Sequence, residues 1–482
     1  MFTRREFCRS TAATLGAAAV SLGAAQWSRV LGANDTIRVG IIGFNSKGAQ
    51  HIDVFRSLPG VRVTALCDVD QTIVDREAAK FKERGEEVTT FQDLRHLLDR
   101  QDIDAVVIAT PNHWHSLAAI WAVQSGKDVY VEKPISHNIR EGRLLVEAAR
   151  KHHKIVQSGT QNRSDVGLRA FKDYLNEGHL GKVLWAHGIW FKLRSGIGRV
   201  NGPQAIPAGV DYNLWTGPAP LTPLMRANLH YDWHWFWETG NGDMANIGVH
   251  QIDDCRFLCD LHGNPKRVIS LGERWAFDDD GQTPNTHLAL VEYDIPLLIE
   301  TRNLPMSPTM NIEDHVRGVR MGNIIMCENG YFAGGRGGGW VYDPAGTKVK
   351  QFPGDGGEGH AANFIEAVRA RDASLLHSDV EEGHFSAVVC HAANISYRLG
   401  KKSSFEEIEN SGDYSQEARE RITSMREHLA ANQVDIANRP VVIGAALDFN
   451  PQEEQFVGPS SYEANMFLFR NYREPFVVPQ SI

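Results

Sequence analysis

TIRVGIIGFNSKG, residues 36–48, runs a β-branched apolar segment straight into a glycine turn and on into residues of helical period. A short run that is apolar at nearly every position and closed by a turn reads as a strand buried on both faces. Gly43 and Gly48 take the first and third glycine positions of G-x-G-x-x-G, with Phe44 and Asn45 after the first. The first glycine would make the tight turn and the third would let helix and strand approach closely. A pyrophosphate would then sit on the helix N-terminus. The middle position is Asn45, a residue that tolerates positive φ better than other non-glycine residues. Asp68 ends the next apolar run, twenty residues after Gly48, where a carboxylate would accept hydrogen bonds from an adenosine ribose. Val69, Asp70 and Gln71 follow with no adjacent arginine to meet a 2′-phosphate, so NAD is favoured over NADP.

Outward from this stretch the alternation continues. VRVTALCDV, AVVIATP, DVYVEKP and KIVQSG read as buried strands, and segments such as QTIVDREAAKFKERG and NIREGRLLVEAARKH between them have helical period. Strand–helix alternation implies a doubly wound parallel sheet with right-handed crossovers, here a Rossmann domain over 34–158. Ligands of such sheets bind outside the carboxyl ends of the strands. That places Thr110, Pro111, Asn112 and His115 of TPNHWH, and Glu132 and Lys133 of VEKPIS, along the cofactor crevice. A helix cap and a solvated Glu–Lys pair would give the same spacing.

Beyond residue 158 the strands lengthen and helices thin out: KVLWAHGIWFKL, RVISLGERWAF, THLALVEYDI, LLIETRNL and NIIMCENGYF. This is the pattern of an α/β domain, 159–430, with an open, mostly antiparallel sheet and helices on one face. Residues 195–225 are rich in Gly and Pro and read as a long loop. GGRGGGW (334–340) follows a strand without a helix after it, so it reads as a turn between strands and not as a phosphate loop. Two helices are expected around 360–371 and 381–399. Residues 431–482 hold little periodicity and read as an extended arm.

GDMANIGVHQIDD (242–254) concentrates polar residues in one short run. Gly242 and Asp243 look like a helix start. If the run is one helix, Asn246, His250, Asp253 and Asp254, at i, i+4, i+7 and i+8, line one face. A metal site, an ordinary helix with a buried histidine, and a reaction site all fit that face. Zinc is disfavoured because no second His/Cys cluster has closed-site spacing; only His230 and His234 stand four apart. Upstream, YDWHWFW (231–237) is either a stacking platform for a pyranose, with Trp233 in contact, or a buried plug. Arg163 in GTQNRS is a candidate hydroxyl or carboxylate contact, or a surface arginine.

Bulk properties bound the rest. The chain has 482 residues, 42% hydrophobic, a formal charge of −9 and a pI near 6.1, which gives no electrostatic reason to expect nucleic acid or an anionic membrane as partner. Six cysteines without a CxxC pair read mainly as buried thiols, with Cys255 and Cys259 the one i, i+4 pair. At the N-terminus Arg4 and Arg5 of MFTRREFCRS precede a short Gly/Ala-rich apolar run, and small residues suited to cleavage follow. Residues 1–33 resemble a twin-arginine signal, implying export of an already folded protein to the periplasm and no membrane attachment after the signal is removed.

The combination of the glycine turn, the ribose Asp68, TPNHWH, EKP and GDMANIGVHQID, spread over roughly 36–400, resembles the Gfo/Idh/MocA family. The resemblance implies a Rossmann domain followed by an α/β domain with an open sheet, a bound NAD(P), and oxidation or reduction of a secondary alcohol on a sugar, glycoside or polyol. It places Lys133 at the nicotinamide and the substrate hydroxyl. It gives His250 the part of proton acceptor, and makes Asn246 the counterpart of an aspartate in the family's D-x-G-x-H-x-x-D motif. Asparagine can position a group but cannot carry charge. Arg163, Trp233 and Asp253 become candidate substrate contacts, and no metal is expected. An exported enzyme would have to hold NAD tightly and recycle it. An NAD-dependent glycoside hydrolase working through a transient keto sugar, and a non-catalytic dinucleotide-binding protein, are the alternatives. A homodimer or homotetramer built on the open sheet is the implied assembly.

Overall fold

The structure, a computed structural model, describes residues 36–411 and 414–482. The twin-arginine segment and Cys8 lie outside the described residues. The first sheet contains β1 (Ile37–Ile42), β2 (Val61–Cys67), β3 (Thr89–Phe91), β4 (Ala105–Ile108), β5 (Asp128–Val131) and β6 (Val156–Ser158). All neighbours are parallel, in the order β3-β2-β1-β4-β5-β6. The crossovers are α1 (Lys47–Ser57), α2 (Gln71–Glu83), α3 (Leu94–Leu98), α4 (Asn112–Gln124) and α5 (Ile139–Lys151). β4 and β5 are buried at every position, as strands covered on both faces must be. The strand order reverses between β1 and β4, and the crevice opens there.

The second half runs α6 (Val166–Asn176), β7 (Val183–Phe191), α7 (Tyr212–Thr216), α8 (Gly242–Asn246), α9 (Gly248–Leu258), β8 (Arg267–Glu273), β9 (Thr286–Glu292) and β10 (Pro296–Arg302). It continues with β11 (Met321–Cys327), β12 (Gly330–Gly335), β13 (Gly338–Tyr342), β14 (Lys348–Pro353), α10 (His360–Ala370), α11 (Val380–Arg398), β15 (Lys401–Ser403), α12 (Phe405–Asn410) and α13 (Gln416–Ala431). In the second sheet the order is β14-β13-β12-β11-β7-β10-β9-β8-β16-β15, where β16 is Val441–Ile443. Among these pairings only β7 with β10 is parallel. One face packs on α6, α9 and α11 through Phe171, Ile252, Val389 and Phe332. The other face is partly covered by the chain itself: α12 and α13 lay Phe405, Ile408, Ile422 and Met425 on Leu271 and Leu288.

Two features differ from the sequence reading. The last fifty residues are not simply extended. After β16 they form β17 (Leu447–Asn450), β18 (Gln455–Val457) and α14 (Ser461–Asn465), with β17 pairing to β8. The chain then crosses to the first domain, where Phe476 and Val478 enter the core beneath α4 and α5. Likewise α10, far along the chain, packs on the first sheet: Phe364 and Ile365 sit among Val39, Phe55 and Tyr130. The five described cysteines are free, four of them buried. Among the described residues no helix is long and apolar enough to cross a membrane.

Candidate active site

A cleft of about 430 Å³ runs along the carboxyl ends of β1, β4 and β5 and is closed from the other side by the second domain. Its size falls within the roughly 300–1,000 Å³ of small-molecule sites. At one end Gly43, with φ +77°, makes the turn out of β1 and donates its N–H to Cys67 O at 2.8 Å. A Cβ on Gly48 would stand 1.9 Å from the Gly43 carbonyl oxygen, so the start of α1 lies against the turn as closely as only glycine allows. Asn45 does not need its tolerance of positive φ: it is exposed, and its φ is not positive. Asp68 is fixed by two backbone donors, Phe44 N–H to Oδ2 at 2.9 Å and Asp70 N–H to Oδ1 at 3.1 Å. Burial pushes its pKa up, against those two N–H groups.

The Gly/Pro-rich loop of the second domain straps this end. Gly209 O accepts from Gln71 N–H at 3.0 Å, Asp211 N–H donates to Val69 O at 2.9 Å, and further along the chain His230 Nε2 meets the Asp70 carboxylate at Oδ2, 3.0 Å away. Further along, His113 Nε2 and Trp114 Nε1 of α4 hold the Trp215 carbonyl at 2.9 and 3.1 Å.

The middle of the cleft is a set of clamps. His115 holds Pro134 O at 2.6 Å and Thr110 O at 2.7 Å, tying the β4 turn to the β5 turn. Burial still lowers its pKa, although both carbonyls favour the cation. Pro111 precedes α4 as its N-cap. Asn112 reaches across to Asn241 at 3.2 Å. The Thr110 hydroxyl is buried without a partner. Glu132 is held by His51 Nε2 at 2.8 Å and Gln161 Nε2 at 2.9 Å. Burial pushes its carboxyl up, but the His51 hydrogen bond and charge hold it well below the usual carboxylate range.

Lys133 spans the domains: its Nζ donates to the backbone carbonyl of Asn246. Burial, with help from the Lys47 charge, lowers its pKa below 10.5. His250 faces the same cleft. Burial, then the Lys133 charge, brings its pKa down to about 3, so the ring is neutral. Its Nδ1 is buried without a partner.

The run 242–254 is two helices, not one. Ile247 (φ −126°, ψ −41°) interrupts it, so α8 ends at Asn246 and α9 starts at Gly248. Asn246 and His250 therefore line the cleft, while Asp253 and Asp254 do not share that face. Asp253 is fully buried against Arg163, Nε–Oδ2 2.8 Å and Nη2–Oδ1 3.0 Å, and against Ser386 Oγ at 2.7 Å. Arg163 also meets Glu382 at 3.0 Å. Neither Arg163 nor Asp253 is available to a substrate. Together they lock α9, with its histidine, to the end of the first domain. Residues 232–235 form a 3₁₀ turn, so Trp233, Trp235 and Trp237 share no face. Trp233 lines the cleft stacked on His234, ring centroids 3.7 Å apart, and is otherwise packed among Trp215, Leu224 and Leu229. His230 is taken by Asp70 and His234 by Tyr231 O, at 3.0 and 2.5 Å. Among the described residues no three His, Cys, Asp or Glu side chains are grouped to hold a metal.

Asp243 was marked in the sequence only as part of a helix start. It is 1% exposed and chelated by Arg194, Nε–Oδ2 2.7 Å and Nη2–Oδ1 2.9 Å, with Asn303 at 2.8 Å. Asn246 Nδ2 donates to its Oδ1 at 3.5 Å. A carboxylate thus stands directly behind Asn246, one helical turn before it, and its charge favours the Lys133 ammonium.

Residues 37–160 match the oxidoreductase family with an NAD-binding Rossmann fold, GFO_IDH_MocA, and residues 179–273 match the C-terminal alpha/beta domain of the same family. The chain belongs to the Gfo/Idh/MocA family. A curated relative from Saccharopolyspora erythraea, a "Glycosyl hydrolase family 109 protein", is 34% identical over 210 residues, 39% of this chain and 46% of that protein. The "Alpha-N-acetylgalactosaminidase" of Shewanella oneidensis is 38% identical over 125 residues, 25% of this chain and 27% of its own length. The matched stretches thus span less than half of these curated relatives. The solved structure of a levoglucosan dehydrogenase in complex with NADH superposes with a TM-score of 0.57 at 19% identity, covering 74% of this chain and 96% of that one, which shows a shared fold. The glycine cradle at 43–48, the fixed Asp68 carboxylate and the unpartnered Thr110 hydroxyl fit the NAD expected of this family.

Proposed function

We propose that this chain is an NAD-dependent oxidoreductase acting on a secondary alcohol of a sugar, glycoside or polyol. The observation that carries the reading is the join across the cleft: Lys133 of the first domain is hydrogen-bonded to Asn246 of the second, with the neutral His250 ring lining the same space. When bound, NAD supplies the hydride acceptor. The chain's residues handle the proton. The neutral His250 ring accepts and orients the substrate hydroxyl. The Lys133 amine, brought toward neutrality by burial, takes the proton. The Asn246 carbonyl holds that amine in place. Acid–base help of this kind contributes about 10²–10⁴-fold. Lys133→Met is therefore expected to lower turnover of a responsive sugar by at least about 10²-fold while the protein keeps its nucleotide. Unchanged turnover would remove Lys133 from the reaction.

The twin-arginine segment supports export to the periplasm, where no NAD pool would resupply the enzyme. The strap from 209 to 215 supports a cofactor held through many turnovers and recycled on site. Purified mature protein is expected to carry NAD without addition. A cleft that is empty on purification and needs millimolar NAD would overturn this. A second reading, redox-neutral glycoside cleavage through a transient keto sugar, is favoured by the names of the curated relatives. Release of aglycone without net NADH would select it. Assembly into a dimer or tetramer would use the part of the second sheet that α12 and α13 leave uncovered, around Trp185, Met326 and Tyr342.

A further inference from the structure

The hairpin between β12 and β13 carries an arginine into the cleft that the proton and hydride steps do not use. Arg336 stands in GGRGGG, residues 334–339, and lines the same cleft as Lys133, Asn246 and His250. The tip is built to place it. Gly337 and Gly338 have φ of +91° and +90°, and a Cβ on Gly338 would meet Phe352 O at 1.9 Å. Gly337 N–H and Gly356 N–H both donate to Asp165 Oδ2, at 2.8 and 2.7 Å, and Asp165 is fully buried. The Arg336 side chain is steered by one bond, Nε to Gly356 O at 3.1 Å. Its two terminal nitrogens have no hydrogen-bond or ion-pair partner among the described residues.

Arg336 is exposed, as are other unpaired arginines such as Arg62 and Arg317, but among the described residues it alone of the arginines lines this cleft. Arg163, Arg194, Arg274 and Arg302 are each closed by a carboxylate within 3.0 Å. No carboxylate among the described residues forms an ion pair with Arg336 in the same way. Glu132 is taken by His51 and Gln161, and Asp355 Oδ1 accepts from Gly357 N–H at 2.9 Å. Lys47, the other cation there, reaches only Gln50 Oε1 at 3.4 Å. A guanidinium steered by one bond, with an open fork in the same cleft as the reacting groups and no ion-pair partner among the described residues, is a receptor for a planar anion. Its two parallel N–H groups match a carboxylate with two bonds, which a flexible ammonium cannot reproduce.

We propose that Arg336 sets substrate specificity by binding a carboxylate on the sugar, so that the enzyme takes uronate-type acid sugars or their glycosides. This rests on the reading of the cleft as a sugar oxidoreductase site. The test is isothermal titration of the full-length, NAD-loaded protein with matched probes: methyl glucuronide against methyl glucoside, and methyl galacturonide against methyl galactoside. At least one uronide is expected to bind about 10- to 100-fold more tightly than its neutral partner, the range for a hydrogen-bonded charge pair. Arg336→Gln is expected to bring the pair to parity, leave the neutral sugar unchanged and leave the melting temperature unchanged. Arg336→Lys is expected to restore only part of the difference. Equal affinities within both pairs, a preference that survives Arg336→Gln, or tighter binding of a sugar phosphate or sulfate than of either uronide would overturn the assignment. Neutral sugars that reduce NAD without any uronide preference would overturn this proposal alone. An NAD-loaded protein that binds a uronide through Arg336 yet moves no hydride would overturn the oxidoreductase reading and leave Arg336 standing.

Discussion

Burial decides what each ionisable side chain of the cleft can do. Lys133 would be a poor base in water; in the cleft its pKa is lowered because the ammonium loses solvation. The reactive form is the neutral amine, so turnover is expected to rise with pH on a limb lying below 10.5, the ordinary lysine value, and Lys133→Met is expected to abolish that limb in a pH–rate profile. Asp254 shows the opposite case. Burial and the adjacent Asp253 raise it from 3.8 to about 7, although Asn162 and Asn323 donate to its Oδ2 at 3.0 and 2.9 Å. The folded chain thus holds a proton that the unfolded chain releases near 3.8, so stability falls as pH rises from there toward 7 and levels off above. Asp254→Asn keeps the shape and the acceptor oxygen without the proton. Melting curves across this range are expected to show a flatter pH dependence for the variant, with its relative gain largest above 7. The sequence pointed to the residues of one cleft: strand ends place Asp68 and Lys133 along it and the family resemblance adds His250, and all three line it. Arg163 and Asp253 were misjudged because a buried ion pair and an exposed binding pair look alike in sequence. Asp243 was legible only as a helix start, since its partners Arg194 and Asn303 are distant in the chain.

At the scale of elements, the glycine turn has the least freedom. The 1.9 Å approach of a Gly48 Cβ to the Gly43 carbonyl leaves rigid backbone on both sides. Gly48→Ala is therefore expected to push α1 away from β1 and to cost NAD affinity far more than stability. Titration of NAD into unfolded-and-refolded wild type and variant checks this, and equal affinity would mean that α1 shifts without disturbing the cradle. Strand and helix identities in the first domain follow from periodicity, because strands covered on both faces leave near-continuous apolar runs. The break at Ile247 could not be read, since nothing at 247 forbids helix; it arises from fitting α8 and α9 to different neighbours. The start of α12 was readable after the fact. Ser404 and Glu407 form a capping box, with Ser404 Oγ accepting from Glu407 N–H at 3.1 Å and Glu407 Oε2 accepting from Ser404 N–H at 2.9 Å.

Across the whole molecule the two domains are less separable than their sequence order suggests, and this is the feature periodicity could least reveal, because it depends on where the chain returns. The face of the first sheet that holds Val39, Phe55 and Tyr130 is completed by Phe364 and Val368 of α10, and its other face by Val380 and Ala387 of α11 and by Phe476 and Val478 near the C-terminus. The same α11 carries Val388, Val389 and Ala392 into the core of the second domain. A fragment covering 36–160 would thus expose the apolar ground of both faces, even though it contains every strand of the Rossmann sheet. It is expected to lack a cooperative thermal transition and to bind NAD weakly or not at all, while the full chain melts in one transition. Phe364→Ala tests the same coupling without truncation. Deleting a fully buried phenylalanine typically removes about 3–5 kcal/mol, and here the loss falls on the nucleotide-binding sheet, from a residue some two hundred positions beyond it. Calorimetry is expected to show the single transition moved to lower temperature, with NAD affinity reduced in parallel. Two separated transitions, only one of them shifted, would show that the shared helices do not couple the domains.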